Sequence, residues 1–296
     1  MAAFRERFLA VNGVKLHCVE AGREDAPLIV FLHGFPEFWY AWRHQLRALS
    51  ERFYCVACDT RGINLSDKPA RVEDYAIDVL VEDARQLIDA LGRDSAVVVG
   101  HDWGGFIAWV LAIRHPEAVR KLVIANCAHP DAYARLVIDS PRQREASQYT
   151  LAFRSERGED LLRHDDFAGF RANILAPGLA AGHLDAADEA AYQAAWRQPG
   201  ALTGGLNYYR ANRLGPALEG QSPRRPRDPA ESRVSPPTLV IWGEKDPYFS
   251  MENIDLLSDY VSDLKLVRCP DNDHWIVHQI PDRVSALIGD FATAAD

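Results

Sequence analysis

The apolar residues of this chain recur with two periods that alternate along much of the sequence. The stretch "FLAVNGVKLHCVE", residues 8–20, contains two alternating runs joined by Asn12-Gly13, which predicts a β-hairpin. Short unbroken apolar runs such as "PLIVFL" (27–32) and "YCVACD" (54–59) predict buried strands. Apolar residues at steps of three and four in "FWYAWRHQLRALSERF" (38–53) predict an amphipathic helix.

The same two patterns continue over two further parts of the chain. Strands are predicted in "SAVVVG", "RKLVIAN", "TLVIWG" and "LKLVRC", and helices in "DYAIDVLVEDARQLIDALG", "GGFIAWVLAIRHP", "ENIDLLSDYV" and "PDRVSALIGDF". Strands that alternate with helices predict right-handed crossovers and therefore an α/β fold, with a mostly parallel sheet and helices on both faces.

The middle of the chain interrupts this alternation. Residues 130 to about 212 show helical patterns without a buried strand, which predicts an inserted helical cap. Residues 213–237 contain six prolines and clustered charge, so we expect an irregular, mobile return loop. The predicted division is therefore a core domain of residues 1–129 and 237–296 with a cap of residues 130–236.

Composition narrows the possible partners. The chain has 296 residues, 48% of them apolar, and a formal net charge of −9, which argues against nucleic acid and anionic membranes as partners. No apolar run approaches the roughly 20 residues that span a bilayer, and the first residues lack the apolar core of a signal peptide. Cys55 and Cys58 lie three apart on a predicted strand and should face opposite ways, as core thiols. A cytoplasmic location is the expectation.

Polar residues follow several predicted strands, where open α/β sheets bind their ligands. His33-Gly34-Phe35-Pro36 follows the first buried strand, and Asp59 follows the next. Asp102, Asp246 and His274 come after three later strands, from distant parts of the chain. Because the carboxyl ends of parallel strands share one edge, we expect these side chains to converge there.

Asp102 lies in "VVVGHDWGGFIAW", at the turn from a strand to a helix. Aspartate is a favoured first residue of a helix, so a capping role is the simplest interpretation. Capping does not explain Gly100 before it and Gly104 and Gly105 after it, which are typical of the sharp turn G-x-Nuc-x-G that exposes a nucleophile. We therefore interpret Asp102 as a nucleophile in the place where many hydrolases carry serine.

At these motifs the chain resembles the α/β-hydrolase family over nearly its whole length, and most closely its epoxide hydrolases. "HGFPEFWYAWRHQL" resembles their H-G-x-P segment, "DTRGINLSDKP" their second loop, "GHDWGG" their aspartate elbow and "QPGALTGGLNYYR" their cap. The H-G-x-P turn implies a cis bond between Phe35 and Pro36. The second loop usually reads R-G-x-G-x-S, and Asn64 replaces its second glycine here, a residue that tolerates left-handed backbone.

The chemistry of this family assigns roles to the residues at the strand ends. A carboxylate is ionised at neutral pH and suits displacement at a strained carbon, so Asp102 would form an ester with the substrate. His274 would activate water to hydrolyse that ester, and Asp246 would orient the histidine. Backbone N–H groups of Phe35 and Trp103 would hold the oxyanion.

The resemblance also implies a proton donor for the alkoxide that epoxide opening creates. Tyr149 in "SQYTLAF" and the second tyrosine of "LNYYR", Tyr209, match the cap tyrosines of the family. Phe35, Trp103 and Phe153 are the expected pocket residues. Aromatic residues such as Trp39, Phe106 and Trp275 suggest an apolar pocket, although core packing explains them equally well.

Other reactions use the same elbow. Haloalkane dehalogenases would use the Trp103 indole as one halide donor, but their second donor, often an asparagine after His-Gly, is replaced by Phe35. Haloacetate dehalogenases need an arginine near the nucleophile, and Arg114 lies roughly 15 Å along the helix. An esterase is disfavoured because the elbow lacks serine, and a non-catalytic binding protein because the triad is complete.

The sequence thus predicts an epoxide hydrolase without cofactor or metal. Its partners would be a small apolar epoxide and water, with no nucleic acid and no membrane. The sequence does not reveal the oligomeric state, the natural substrate or the stereochemical preference.

Overall fold

Eight strands form one sheet in the computed structural model, which describes residues 4–294. The strands are β1 (Arg5–Val11), β2 (Val14–Ala21), β3 (Leu28–Leu32), β4 (Tyr54–Cys58), β5 (Ala96–His101), β6 (Val119–Ala125), β7 (Thr238–Gly243) and β8 (Leu264–Cys269). Their order is β1-β2-β4-β3-β5-β6-β7-β8. The β1–β2 hairpin and the β2–β4 pair are antiparallel, and all other pairs are parallel. The predicted mostly parallel sheet with an edge hairpin is therefore confirmed.

Helices connect the strands and cover the sheet. They are α1 (Arg43–Leu49), α2 (Ile77–Ala90), α3 (Trp103–Arg114), α4 (Pro130–Asp139), α5 (Pro141–Ala146), α6 (Tyr149–Arg154), α7 (Gly158–Phe170), α8 (Ala176–Ala181), α9 (Ala186–Trp196), α10 (Ala201–Asn212), α11 (Glu252–Asp255), α12 (Leu257–Tyr260), α13 (Ile276–Gln279) and α14 (Pro281–Thr293). The helix predicted over residues 38–53 is shorter, because residues Trp39–Trp42 form a 3-10 turn before α1.

The central strands are buried on both faces, which explains their unbroken apolar sequences. Along β3, Val30 belongs to one apolar core while Ile29 and Phe31 belong to the other. Residues of α2 and α3 complete the first core, and residues of α1 and α14 complete the second. Cys55 and Cys58 lie in different cores, so they face opposite ways as predicted.

Helices α4 to α10 form the insertion between β6 and β7, which agrees with the predicted cap of the fold. The insertion is irregular in one part. Helix α7 contains non-helical backbone from His164 to Phe167, and a π-helical turn follows at Arg171–Leu175. The limits predicted for the cap, residues 130–236, stay a prediction.

The return loop after α10 is largely irregular, with one 3-10 turn at Pro229–Ser232. Side chains of α4 and α6 hold it against the insertion. The carboxylate of Asp131, which is fully buried, accepts bonds from Arg227 at 2.9 and 3.1 Å. Arg154 of α6 donates to the carbonyl of Pro216 at 2.6 Å. The mobility that the sequence suggested for this loop stays a prediction.

Over residues 4–294, none of the helices is both long enough and apolar enough to cross a bilayer.

Candidate active site

Asp102 lies at a sharp turn between β5 and α3. Its backbone has φ 50° and ψ −120°, which is uncommon for a residue other than glycine. The turn is possible because the backbones approach closely: a Cβ on Gly100 would lie 2.4 Å from the carbonyl oxygen of Gly104. A Cβ on Gly104 would lie 2.1 Å from the carbonyl oxygen of Leu32. The flanking glycines therefore serve the elbow, and Asp102 makes no side-chain capping bond to α3.

The turn after β3 reaches the same carboxylate. The peptide bond between Phe35 and Pro36 is cis, as the resemblance implied. The backbone N–H of Phe35 donates to Asp102 Oδ1 at 2.9 Å. From the insertion, the indole of Trp196 donates to the carbonyl oxygen of Pro36 at 2.7 Å. The N–H of one predicted oxyanion donor thus already points at the carboxylate, and α9 supports the turn that carries it.

The loops after β7 and β8 bring Asp246 and His274 together. Nδ1 of His274 lies 2.8 Å from Asp246 Oδ2, and Nε2 lies 3.7 Å from Asp102 Oδ2. Asp246 Oδ1 accepts backbone N–H bonds from Tyr248 and Phe249 at 2.7 and 3.0 Å. The three residues that the sequence placed at distant strand ends therefore lie in one series, in which His274 hydrogen-bonds Asp246 and pairs in charge with Asp102.

Asn126 completes this arrangement and was missed by the sequence reasoning. Its side-chain amide donates to Asp246 Oδ2 at 2.7 Å, and its Oδ1 accepts the N–H of Gly243 at 2.8 Å. Asn126 follows β6 directly and has φ 39°. A polar residue at a strand end was the available signal, since the same signal identified Asp102.

The electrostatics of the site follow from burial and from the paired charges. Burial raises the pKa of Asp102 above its ordinary value, and the nearby His274 and His101 rings offset only part of that effect. Burial alone would lower the pKa of His274, but the carboxylates of Asp246 and Asp102 raise it to about 9. His274 therefore faces Asp102 as an imidazolium near neutral pH.

A cavity of about 320 Å³ opens above Asp102 between the sheet and the insertion. Tyr149 of α6 and Tyr209 of α10 both line it, together with Asp102 and His274. Burial raises the pKa of both phenols well above the usual value, so both remain protonated at neutral pH. Tyr208 is directed elsewhere and donates to the carbonyl of Arg61 at 2.7 Å. Of the two adjacent tyrosines, Tyr209 lines the cavity and Tyr208 does not, and the role of Tyr209 as proton donor stays a prediction.

Two of the three expected pocket residues, Phe35 and Phe153, line the cavity, but Trp103 does not. The ring of Trp103 packs edge-on against Tyr209 at 5.1 Å, and Nε1 is buried without a hydrogen-bond partner among residues 4–294. Tyr209 lines the cavity and packs against Trp103, which is not in the lining. The sequence alone does not predict which of two packed aromatic rings faces a cavity. Trp39 and Phe106 are likewise outside the cavity lining, whereas Trp275 belongs to it.

Several side chains of the lining had no sequence signal. Tyr248 lies in the cavity wall, and its ring is 5.2 Å from that of Tyr149 and 4.8 Å from that of His274. Leu162, Phe170, Asn173 and Ile174 come from the irregular part of the insertion. Asp59, in contrast, lies outside the lining and accepts bonds from Trp39 and Asn64 instead.

A buried polar network lies beside the elbow and joins the insertion to the core. Glu37 Oε2 lies 2.8 Å from Nδ1 of His101, and Oε1 lies 2.7 Å from Nε2 of His278 and 3.1 Å from the Tyr192 hydroxyl. Burial would raise the pKa of Glu37, but the two histidines hold it well below its usual value. Nε2 of His101 lies 2.9 Å from the carbonyl oxygen of His274. The network therefore contacts the backbone of the loop that carries His274.

No group of three or more histidine, cysteine, aspartate or glutamate side chains within residues 4–294 is arranged to hold a metal ion. The expectation of a reaction without metal or cofactor stays a prediction.

Comparison with known proteins identifies the family to which the chain is similar. Residues 27–281 match the model of the α/β-hydrolase fold family. The chain is 35% identical to mouse epoxide hydrolase 4 over 95% of this chain and 77% of that protein. It is 38% identical to the AB hydrolase superfamily protein YfhM of Bacillus subtilis, over 95% of this chain and 96% of that one.

Solved structures extend the comparison to three dimensions. The epoxide hydrolase of Bacillus megaterium, crystallised with an inhibitor, superposes with a TM-score of 0.90 at 37% identity, covering 97% of this chain and 100% of that one. Epoxide hydrolase A of Mycobacterium thermoresistibile superposes with a TM-score of 0.79 at 26% identity, covering 99% of each chain. This chain belongs to the α/β-hydrolase family and, within it, to the group of the epoxide hydrolases.

Proposed function

We propose that this protein converts an epoxide to a vicinal diol through an ester on Asp102. One observation carries the proposal: a carboxylate at the elbow and two protonated phenols line a single apolar cavity. A nucleophile and an acid on opposite sides of a substrate are what opening a strained ether requires. The first test is turnover of a panel of epoxides, haloalkanes and p-nitrophenyl esters, which also separates an enzyme from a non-catalytic binding protein.

The first step forms the ester. Oδ1 of Asp102 is engaged by the N–H of Phe35, so Oδ2 is the oxygen that attacks the epoxide carbon. The new bond joins Oδ2 to that carbon while the carbon–oxygen bond of the ring breaks. Tyr149 or Tyr209 donates its phenolic proton to the departing alkoxide. The phenolate takes up a proton again before the next turnover.

The second step returns the carboxylate. Water attacks Cγ of Asp102 and gives its proton to Nε2 of His274, which Asp246 orients through Nδ1. The negative charge that develops on Oδ1 is held by the N–H groups of Phe35 and Trp103. The bond between Cγ and the substrate oxygen then breaks, and the diol leaves with the proton from His274. Asp102 then loses the second proton of the attacking water, which balances the proton that the phenolate takes up.

The two steps differ in how they depend on pH. The pKa of His274 is about 9 while Asp102 is charged, and alkylation removes that charge, so the pKa falls in the ester. Water activation needs the unprotonated ring, so hydrolysis slows by up to about tenfold per pH unit below this lower pKa. Alkylation needs ionised Asp102 and a protonated phenol but no unprotonated His274, so it persists to lower pH.

The fraction of protein held as ester should therefore increase as the pH falls from 8 to 6. Acid quenching of the steady state followed by intact-protein mass spectrometry measures that fraction. An ester fraction that decreases over this range would contradict the assignment of His274 as the base of the second step.

The cavity favours a small apolar substrate. Apart from Asp102, His274 and the three tyrosines, Asn173 is the one polar side chain among the described residues that line it. The Bacillus megaterium epoxide hydrolase has been solved, as a variant, with its product (R)-3-[1]naphthyloxy-propane-1,2-diol. The naphthyl group of that diol supports the proposal that the cavity of this protein accommodates an apolar, aromatic substituent of the epoxide.

Halide release should be a minor activity. Phe35 offers no side-chain donor, and the Trp103 indole lies outside the cavity lining, so a departing halide meets neither donor of a dehalogenase. Loss of one such donor typically costs about 10²–10³-fold. We expect bromide release from simple bromoalkanes to be slower than diol formation by at least that factor, measured with a bromide electrode beside diol chromatography. Rapid bromide release with little diol formation would instead favour a dehalogenase over an epoxide hydrolase.

We also propose a division into a core of residues 1–129 and 237–296 and a cap of residues 130–236. Seven helices and no strand lie in the described structure between β6 and β7, which supports these limits. The cytoplasm is the proposed location. All five cysteines lie buried as free thiols in the described structure, and reducing compartments keep thiols in that state.

A further inference from the structure

A second cavity of about 230 Å³ lies beside the first, again between the insertion and the core. The insertion contributes the residues from the π-helical turn to α9, and the core contributes the segment on both sides of His274. The lining residues are Ile174, Pro177, Gly178, Ala181, His183, Leu184, Tyr192, Asp273, Trp275, His278 and Gln279. None of the proposed reacting groups is among them.

Two side chains belong to the linings of both cavities, Trp275 and Ile174. Trp275 comes from the core, directly after His274, and its ring lies edge-on to the His274 ring at a centroid distance of 5.0 Å. Ile174 comes from the π-helical turn of the insertion and is 8% exposed. A core residue and an insertion residue therefore form one wall that the two spaces share.

The two spaces differ in chemistry. Beyond its reacting groups, the catalytic cavity is lined almost entirely by aromatic and aliphatic side chains. The second cavity adds hydrogen-bonding side chains, including His183, Asp273 and Gln279. An apolar substituent suits the first space, whereas a substituent with a hydroxyl group suits the second.

An epoxide with a substituent on each carbon needs space on both sides of the reacting carbon. On the side of His274, a substituent meets Trp275 and Ile174 before it reaches the second cavity. We propose that Trp275, together with Ile174, determines specificity by restricting the protein to terminal epoxides, and that the second cavity is a latent subsite for a second, hydroxylated arm. This inference rests on the proposed epoxide hydrolysis.

The test compares three epoxides that share a phenyl arm. Styrene oxide is terminal, trans-3-phenylglycidol adds a hydroxymethyl group on the second carbon, and trans-β-methylstyrene oxide adds a methyl group. We expect the parent to favour styrene oxide. Trp275→Ala should raise kcat/KM for trans-3-phenylglycidol relative to styrene oxide by about tenfold or more, and relative to the methyl analogue as well.

Three further variants locate the effect. Ile174→Ala removes the other half of the wall and should shift the ratio in the same direction, which covers the case in which Trp275→Ala does not fold. Leu162→Ala enlarges only the catalytic cavity and should leave the ratio unchanged. Leu184 is 7% exposed and lines only the second cavity, so Leu184→Phe should abolish the gain when combined with Trp275→Ala.

Equal gains for all three epoxides, or a gain that survives Leu184→Phe, would overturn the subsite. A parent that hydrolyses all three epoxides equally would overturn the restriction to terminal epoxides. A parent that forms no diol even from styrene oxide contradicts the proposed function itself, and the two failures are therefore distinguishable.

Discussion

His274→Gln should consume about one equivalent of epoxide and then stop. Alkylation does not need a base, because the Asp102 carboxylate is already ionised at neutral pH. Ester hydrolysis does need one, and general-base assistance is worth about 10²–10⁴-fold. Glutamine keeps a side-chain amide near Asp246 while removing the base. Intact-protein mass should rise by the full mass of the epoxide, and the adduct should map to the peptide that carries Asp102.

Two variants control this experiment. Asp102→Ala should form no adduct, because the attacking oxygen is missing. His115→Gln makes the same chemical change at the end of α3, where His115 lies outside the lining of the cavity, and should turn over like the parent. An adduct on Asp102→Ala, or none on His274→Gln, would leave Asp102 as a general base or a helix cap.

Isotope labelling distinguishes the two routes independently. In a single turnover of the parent in ¹⁸O water, the label should enter the Asp102 carboxylate, because water attacks Cγ. The first diol should contain only the oxygen of the epoxide and the oxygen of Asp102. Direct attack of water on the epoxide would instead place ¹⁸O in that first diol.

The double variant Tyr149→Phe/Tyr209→Phe should lose nearly all epoxide turnover, by about 10²–10⁴-fold, because the alkoxide then has no cap phenol to protonate it. Each single variant should retain part of the activity, since the other phenol still donates. Phenylalanine preserves the aromatic packing of this wall, where Phe153 lies 5.3 Å from Tyr149 and 5.1 Å from Tyr209. The rate of alkylation, measured before the steady state, reports the effect directly.

Tyr248 provides the matched comparison for this prediction. It lines the same cavity, and burial raises the pKa of its phenol to about 12, so it too is protonated at neutral pH. It comes from the core rather than the insertion. Tyr248→Phe should cost far less than the double variant. A double variant with the parent's turnover, or a larger loss in Tyr248→Phe, would reassign the acid.

The alternation of apolar periods was sufficient to predict the sheet, because a strand buried on both faces has no polar position to interrupt it. The insertion is recognisable for the opposite reason. Its sequence shows helical patterns and no unbroken apolar run of the kind that predicts a buried strand. The first helix was predicted too long. The residues after Phe38 bury Trp42 in a 3-10 turn instead of an α-helical turn, and apolar spacing does not distinguish the two.

The sequence predicts the site where a residue type is unusual for its surroundings. Asp102 between glycines is such a case, and the carboxyl ends of parallel strands explain why Asp246 and His274 lie beside it. Asn126 gave the same signal after β6, but an asparagine beside a turn is common and its partner is 120 positions away.

The cavity wall could not be read from the sequence. Trp103 and Trp275 both follow a proposed catalytic residue directly, yet only Trp275 lines the cavity. Which of the two faces the substrate depends on Tyr209, which covers Trp103 from an insertion helix about 100 residues later in the chain. Layering of this kind is a property of tertiary packing.

The position of the cavity, along the seam between sheet and insertion, has an evolutionary consequence. The proposed nucleophile and base lie in turns that follow strands of the sheet. The proposed acids lie in α6 and α10 of the insertion. Substitutions within the insertion can therefore change which leaving group is protonated. They leave in place the residues that would hydrolyse the ester and restore the Asp102 carboxylate. Descendants of one ancestral sheet therefore acquire different substrates by remodelling this one contiguous insertion.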